Sequence, residues 1–185
     1  MDWNKHFSLA GQHAFLSASK YHWINYDEEK LDASFRQAMM AKRGSELHAL
    51  AHDLIRLKVK LPKNSKTLNL YVNDALGYRM ASEQVLYYSP NAFGTADAIS
   101  FSESTMTLRI SDLKTGVTNT SEKQLLVYAA LFCLEYGHSP LKMNIELRIY
   151  QNDECRVYIA DPTDVVFIME KIKLFDKRIN ALREE

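Results

Sequence analysis

Along the first third of the chain apolar residues return every three or four positions: Leu31, Phe35 and Met39, then Leu47, Leu50, Leu54 and Leu57, with polar residues between them. That spacing turns one side of a helix toward a core and predicts a helical layer, interrupted near Gly44. After a turn at Pro62, Leu68, Tyr71, Val72, Ala75 and Leu76 keep the same rhythm to about Met80. The pattern then changes. Short segments of β-branched, aromatic and alternating residues at 83–88, 95–101, 105–113, 143–150 and 155–160, separated by turn formers, predict a sheet of about five strands. Between the third and fourth of them lies SEKQLLVYAALFCLEYG, where Ser121 and Gln124 have the spacing of a capping box and Gly137 stands where a helix would stop. A helix is therefore predicted over 121–136, and a last one over about 163–182. This order predicts an α/β fold, with 1–80 mostly helical, 81–160 a sheet core and 161–185 a C-terminal helix.

With 185 residues, 46% of them hydrophobic, the chain is expected to form a single domain, 1–185, that buries roughly 70% of its extended surface. Twenty-three cations balance 23 acids, so no global field draws nucleic acid, and such a partner must be held by a local patch. The densest basic stretch holds Arg56, Lys58, Lys60, Lys63 and Lys66 with no acid among them. It is the first candidate for contact with a DNA backbone, ordinary solvated charge being the alternative. Lys171, Lys173, Lys177 and Arg178 are a second, interleaved with Glu170 and Asp176. Cys133 and Cys155 match no CxxC or zinc spacing, no run approaches the ~20 apolar residues of a membrane span, and the first residues lack an apolar signal segment. A cytoplasmic location without membrane contact is expected.

The candidate chemistry lies in the second and third strands. If 95–101 and 105–113 form a hairpin turning at Ser104 and Thr105, Asp97 faces Asp112 on the same side of the sheet. Lys114, two residues further on, shares that side if the strand continues through Leu113. Facing carboxylates destabilise a sheet unless a cation lies between them. Oxygen ligands suit Mg²⁺ or Mn²⁺, and a neighbouring ammonium can orient a water or offset charge on a phosphate, which points to metal-assisted phosphodiester hydrolysis.

Gly94-Thr95-Ala96-Asp97, Asp112-Leu113-Lys114-Thr115-Gly116, then Gln124 and Tyr128 on the following helix, with Gly44-Ser45-Glu46-Leu47-His48 upstream, resemble the motif set of the PD-(D/E)XK nuclease superfamily. Within it the chain is most similar to the RecB-like branch, which includes CRISPR-associated exonucleases and phage relatives. The resemblance runs from about Ser17 to the end. It implies a restriction-endonuclease-like mixed sheet flanked by helices, with His48, Asp97, Asp112 and the main-chain carbonyl of Leu113 holding Mg²⁺ or Mn²⁺. Lys114 would orient or activate the attacking water, and Gln124 and Tyr128 would steady that lysine or contact the DNA backbone. The implied activity is a DNA exonuclease leaving 5′-phosphate products.

Many members of that branch hold an iron-sulfur cluster on four cysteines; with only Cys133 and Cys155, none is expected here. The resemblance implies a stand-alone nuclease of phage or prophage DNA recombination and processing in the host cytoplasm, with a recombination protein as candidate partner and a homo-oligomer left open. Two alternatives stand beside it: a structure-specific endonuclease, and a recombination partner that binds DNA on the same fold without cutting. His48 and His52 do not form HExxH, and His52 is expected to be structural. Gln124 could instead serve only as the capping partner of Ser121.

Overall fold

The computed structural model describes residues 8, 12–116 and 121–185. The chain divides into two compact units, one ending at Arg43 and the other spanning Gly44–Glu185. In the first, a 3-10 segment, Ala18–Asn25, precedes the start of helix α1 (Glu28–Arg56), whose residues from Gly44 onward belong to the second. Asp27 Oδ1 accepts from Lys30 N at 2.7 Å, which satisfies one of the free donors of the first helical turn. Trp23 Nε1 donates to Ser17 O at 3.0 Å, and Phe15 meets Phe35 edge-on at 5.2 Å. The predicted apolar stripe of this part is helical, but Leu31, Phe35 and Met39 remain 36%, 49% and 38% exposed.

The expected interruption near Gly44 is absent: α1 runs through it unbroken. A Cβ on Gly44 would lie 2.8 Å from Thr115 Oγ1, so the glycine serves close approach and not a break. The buried side of α1 is also rotated from the leucine stripe. Gly44, Ala51 and Ile55 are buried, Leu47 and Leu54 of the predicted stripe pack half-buried against the core around Ala51 and Ile55, and Leu50 and Leu57 stay exposed. His48 falls on that same line, four residues after Gly44 and seven before Ile55.

Helix α2 (Thr67–Gly77) buries Tyr71, Val72 and Ala75. It stops short of Met80 because the chain turns left-handed at Arg79, φ 53, and sends Met80 into the core.

Strands β1 (Ala81–Ser89), β2 (Ala92–Ser102), β3 (Thr107–Leu113), β4 (Asn144–Gln151) and β5 (Glu154–Ile159) form one mixed sheet in sequence order. All neighbours are antiparallel except β3 and β4, whose parallel pairing requires the crossover supplied by helix α3 (Lys123–Tyr136). The period of two divides the side chains between two cores. Leu108, Ile110, Leu147 and Ile149 pack with Leu125 and Ala129 of α3 and with Val165 of the last helix, α4 (Pro162–Glu184). Leu113 and Tyr150 pack with Ala51, Ile55, Tyr71 and Val72.

The β2–β3 ladder runs from Ser102↔Thr107 to Ala98↔Ser111, the register that brings Asp97 and Asp112 opposite each other at the next step. Its turn is longer than the expected pair Ser104 and Thr105, with Met106 at φ 48 closing it. The capping box of α3 does not form. Ser121 Oγ accepts from Lys123 N at 3.2 Å, while Gln124 is engaged elsewhere. Gly137 ends the helix in the left-handed conformation, φ 71. Among the described residues no helix is long and apolar enough to cross a membrane.

Candidate functional site

Where β2 and β3 part, the Asp97 carboxylate replaces the ladder: its Oδ2 accepts from Leu113 N at 2.9 Å. His48 Nδ1 lies 3.4 Å from the same oxygen. Glu83 joins them, with one ligand atom from each of His48, Glu83 and Asp97 all within 4.8 Å of one another. On β1, Glu83 falls between the pairs Ser82↔Ala98 and Gln84↔Ala96, opposite Asp97, and adopts a left-handed φ of 53. Nothing in the sequence signals that conformation; only an acid at the start of a predicted strand was visible.

Asp112 is buried, 2% exposed. Its Oδ1 accepts from Lys114 Nζ at 2.9 Å, and its Oδ2 has no hydrogen-bond partner among the described residues. Lys114 Nζ also donates to Gln124 Oε1 at 3.0 Å, and Gln124 Nε2 donates to Tyr128 OH at 2.9 Å. The i, i+4 spacing on α3 thus forms a relay ending on the lysine. A Cβ on Gly94 would lie 3.0 Å from Tyr128 Cε1, so the glycine of the GTAD segment makes room for that tyrosine.

The charges here act on one another. Burial, and after it the negative Asp97, push the Asp112 carboxyl above its ordinary value, with Lys114 and His48 pulling it back. The hydrogen bond with Asp97 raises His48; burial opposes this, and the charges of Asp97, Asp112 and Glu83 add to it. Tyr71, buried beneath, has its phenol pushed far up by burial and then by Asp97, Glu83 and Asp112. The centre is therefore a negative field with one ammonium at its edge. His52, one turn beyond His48, bonds through Nδ1 to Ser82 Oγ at 2.9 Å.

The basic stretch is divided by the fold. Arg56 pairs with Asp53 at 3.0 Å and Lys66 lies 3.8 Å from Asp153. Lys58 and Lys60 line a cavity together with Arg79, which sequence reading did not single out, and Lys60 and Lys63 line a second one beside Asn73 and Gly77. On α4, Lys173 pairs with Glu170 at 3.0 Å, Arg178 with Glu185 at 3.6 Å, and Lys171 lies over Phe167 and Phe175. Those cations are largely matched within their own helix.

No protein-family model, curated protein or solved structure matches the chain.

Proposed function

We propose that the chain is a divalent-metal-dependent deoxyribonuclease of the RecB-like PD-(D/E)XK type on a restriction-endonuclease-like sheet. It cuts DNA from an end to leave 5′-phosphate products, in DNA recombination or processing of the phage kind. The observation that carries this reading is Asp112, a buried carboxylate with one oxygen on Lys114 and the other without a partner, within electrostatic reach of Asp97. A buried polar atom left unpaired costs ~1–3 kcal/mol, more when charged, and a second carboxylate adds to that cost. A divalent cation relieves both.

The donor set fits such an ion. The ligand atoms of His48, Glu83 and Asp97 lie close enough together for one ion, a group that does not include Asp112; on the nuclease reading Asp112 and the Leu113 carbonyl would complete a shell for Mg²⁺ or Mn²⁺, and one imidazole among oxygens suits Mn²⁺. When bound, the ion supplies Lewis-acid charge to a phosphodiester oxygen. The protein's own part is positional. An ammonium has three donors, and Lys114 commits two of them to Asp112 and Gln124, which aims the third at a water or phosphate oxygen. Tyr128 fixes Gln124 and so fixes the lysine.

Digestion of end-labelled linear and closed circular DNA with Mg²⁺ and with Mn²⁺ tests this. Degradation of the linear form alone is expected, slowed ~10²–10⁴-fold by Asp112→Ala and by Lys114→Ala. A rise in Tm with Mn²⁺ should vanish in Asp112→Ala and persist in Lys114→Ala. Parental rates in both variants would remove these roles. Nicking of closed circles would make the protein an endonuclease, and binding without cleavage would make it a non-cleaving DNA partner.

A further inference from the structure

Two helices end at one cavity, and they end in the same way. At the close of α1, Lys58 N donates to Ile55 O at 3.0 Å and Val59 N to Leu54 O at 2.9 Å. At the close of α2, Arg79 N donates to Leu76 O at 3.2 Å and Met80 N to Ala75 O at 2.8 Å. Each stop puts one residue in the left-handed conformation, where glycine is the usual occupant because a side chain crowds its own backbone. The occupants here are Lys58, φ 55, and Arg79, φ 53. Both line a cavity of about 440 Å³ with Lys60, over a floor that includes Ile55, Leu76 and Met80. That volume lies within the ~300–1,000 Å³ of ordinary ligand pockets.

Cations at helix C-termini complement the backbone dipole, but any exposed position in the last turn serves that purpose without left-handed backbone. Lys58, Lys60 and Arg79 form no ion pair among the described residues, whereas the flanking Arg56 and Lys66 are held by Asp53 and Asp153. A chain with as many acids as bases thus brings three cations around one apolar-floored cavity and places no carboxylate there. Their mutual repulsion is relieved by an anion, and the floor asks for an apolar body attached to it.

We infer that this cavity is a nucleotide subsite, in which Lys58, Lys60 and Arg79 take a phosphate while Ile55, Leu76 and Met80 receive the base. The choice of a nucleotide over other amphiphilic anions rests on the nuclease reading. Ile55 lies seven residues beyond His48 on the same line of α1, about 10 Å along the helix, or about three base steps of a strand. At that spacing, about three nucleotides would separate a phosphate engaged at His48 and Asp97 from one held in the cavity. Single strands are gripped without sequence preference by cations along the backbone together with side chains that cover the bases, commonly aromatic ones; here the aliphatic Ile55, Leu76 and Met80 supply the apolar cover.

The test is binding, not cleavage. Anisotropy of a fluorescein-labelled oligothymidylate is measured in EDTA with the full chain, K58G/R79G and K60E. Glycine suits the left-handed positions, so K58G/R79G should keep or raise its Tm while its affinity falls at least about tenfold. K60E, which leaves both helix stops intact, should weaken binding as well. An abasic strand of the same length should bind the parent several-fold less tightly than oligothymidylate, a difference that K58G/R79G should lose. Competition by dTMP distinguishes a subsite for a free nucleotide from one that needs a strand. Parental affinity in K58G/R79G and K60E overturns the proposal, as does equal binding of the abasic strand or a lowered Tm in K58G/R79G with K60E unaffected. A protein that binds in this way and cuts nothing with Mn²⁺ keeps the subsite and loses the nuclease reading; one that cuts but ignores these substitutions does the reverse.

Discussion

Asp153 belongs to the two-residue turn between β4 and β5, yet it serves α2. Its Oδ1 accepts from Thr67 N at 2.9 Å and from Thr67 Oγ1 at 3.1 Å, and its own N–H donates to that hydroxyl at 2.7 Å. Asn152 and Asp153, at φ 54 and 61, are the residues a type I′ hairpin asks for, so the turn was readable and its second duty was not. The backbone N–H of Thr67, then its hydroxyl, hold the Asp153 carboxyl below its ordinary value of 3.8. A depressed folded value means that the ionised form stabilises the fold. The contribution is complete above the unfolded value and disappears as pH falls through the folded one. Asp153→Asn is expected to lower the Tm at neutral pH, with the gap to the parent narrowing below about pH 4, followed by circular dichroism across that range. Glu83 presents the same contrast at the candidate site. Its carboxyl group is written in the sequence, but the left-handed φ that goes with its place beside Asp97 and His48 is not, and such backbone is a cost that functional sites commonly carry.

At the scale of elements, strand spacing carried the β2–β3 register, because one polar turn between two alternating segments leaves few ways to pair them. Helix faces were less legible. Leucine spacing pointed to a side of α1 of which Leu47 and Leu54 reach the core, whereas full burial fell to Ala51, Ile55 and Gly44, the last because close approach to Thr115 rewards a residue that hydrophobicity ranks low. Gly44→Ala measures that selection. Alanine favours the helix by about 1 kcal/mol, but overlap with Thr115 Oγ1 at 2.8 Å should leave a net loss of about 1–2 kcal/mol in urea unfolding. Combined with Thr115→Ala the loss should shrink or reverse, giving a coupling of about 1 kcal/mol or more. Strict additivity of the two changes would mean that the helix does not need the gap. On α3 two readings of Gln124 stand side by side, a capping partner of Ser121 and a neighbour of Lys114. Ser121 and Gln124 have the right spacing, but the long-range bond to Lys114 competes for the same amide and wins.

For the whole molecule, equal numbers of acids and bases leave no long-range attraction for a polyanion. On the proposed reading, nucleic acid is held by a local group of cations that form no ion pair among the described residues. With Lys58, Lys60 and Arg79 as the main phosphate contacts, log Kd for a single strand should rise with log salt at a slope of about 2, measured by titration at several salt concentrations. A slope of about 5 or more would place the contact over a much wider surface. The sequence by itself determined the α/β class, a sheet of about five strands, the helix between β3 and β4 and the register that sets Asp97 opposite Asp112, because side-chain period and residue type are local properties of the chain. The tertiary structure decided that a buried oxygen of Asp112 is left without a partner among the described residues, that Glu83 joins His48 and Asp97, and that Arg79 and Lys58 line one cavity at two helix ends. Those facts depend on distances between segments far apart in sequence, which only packing sets.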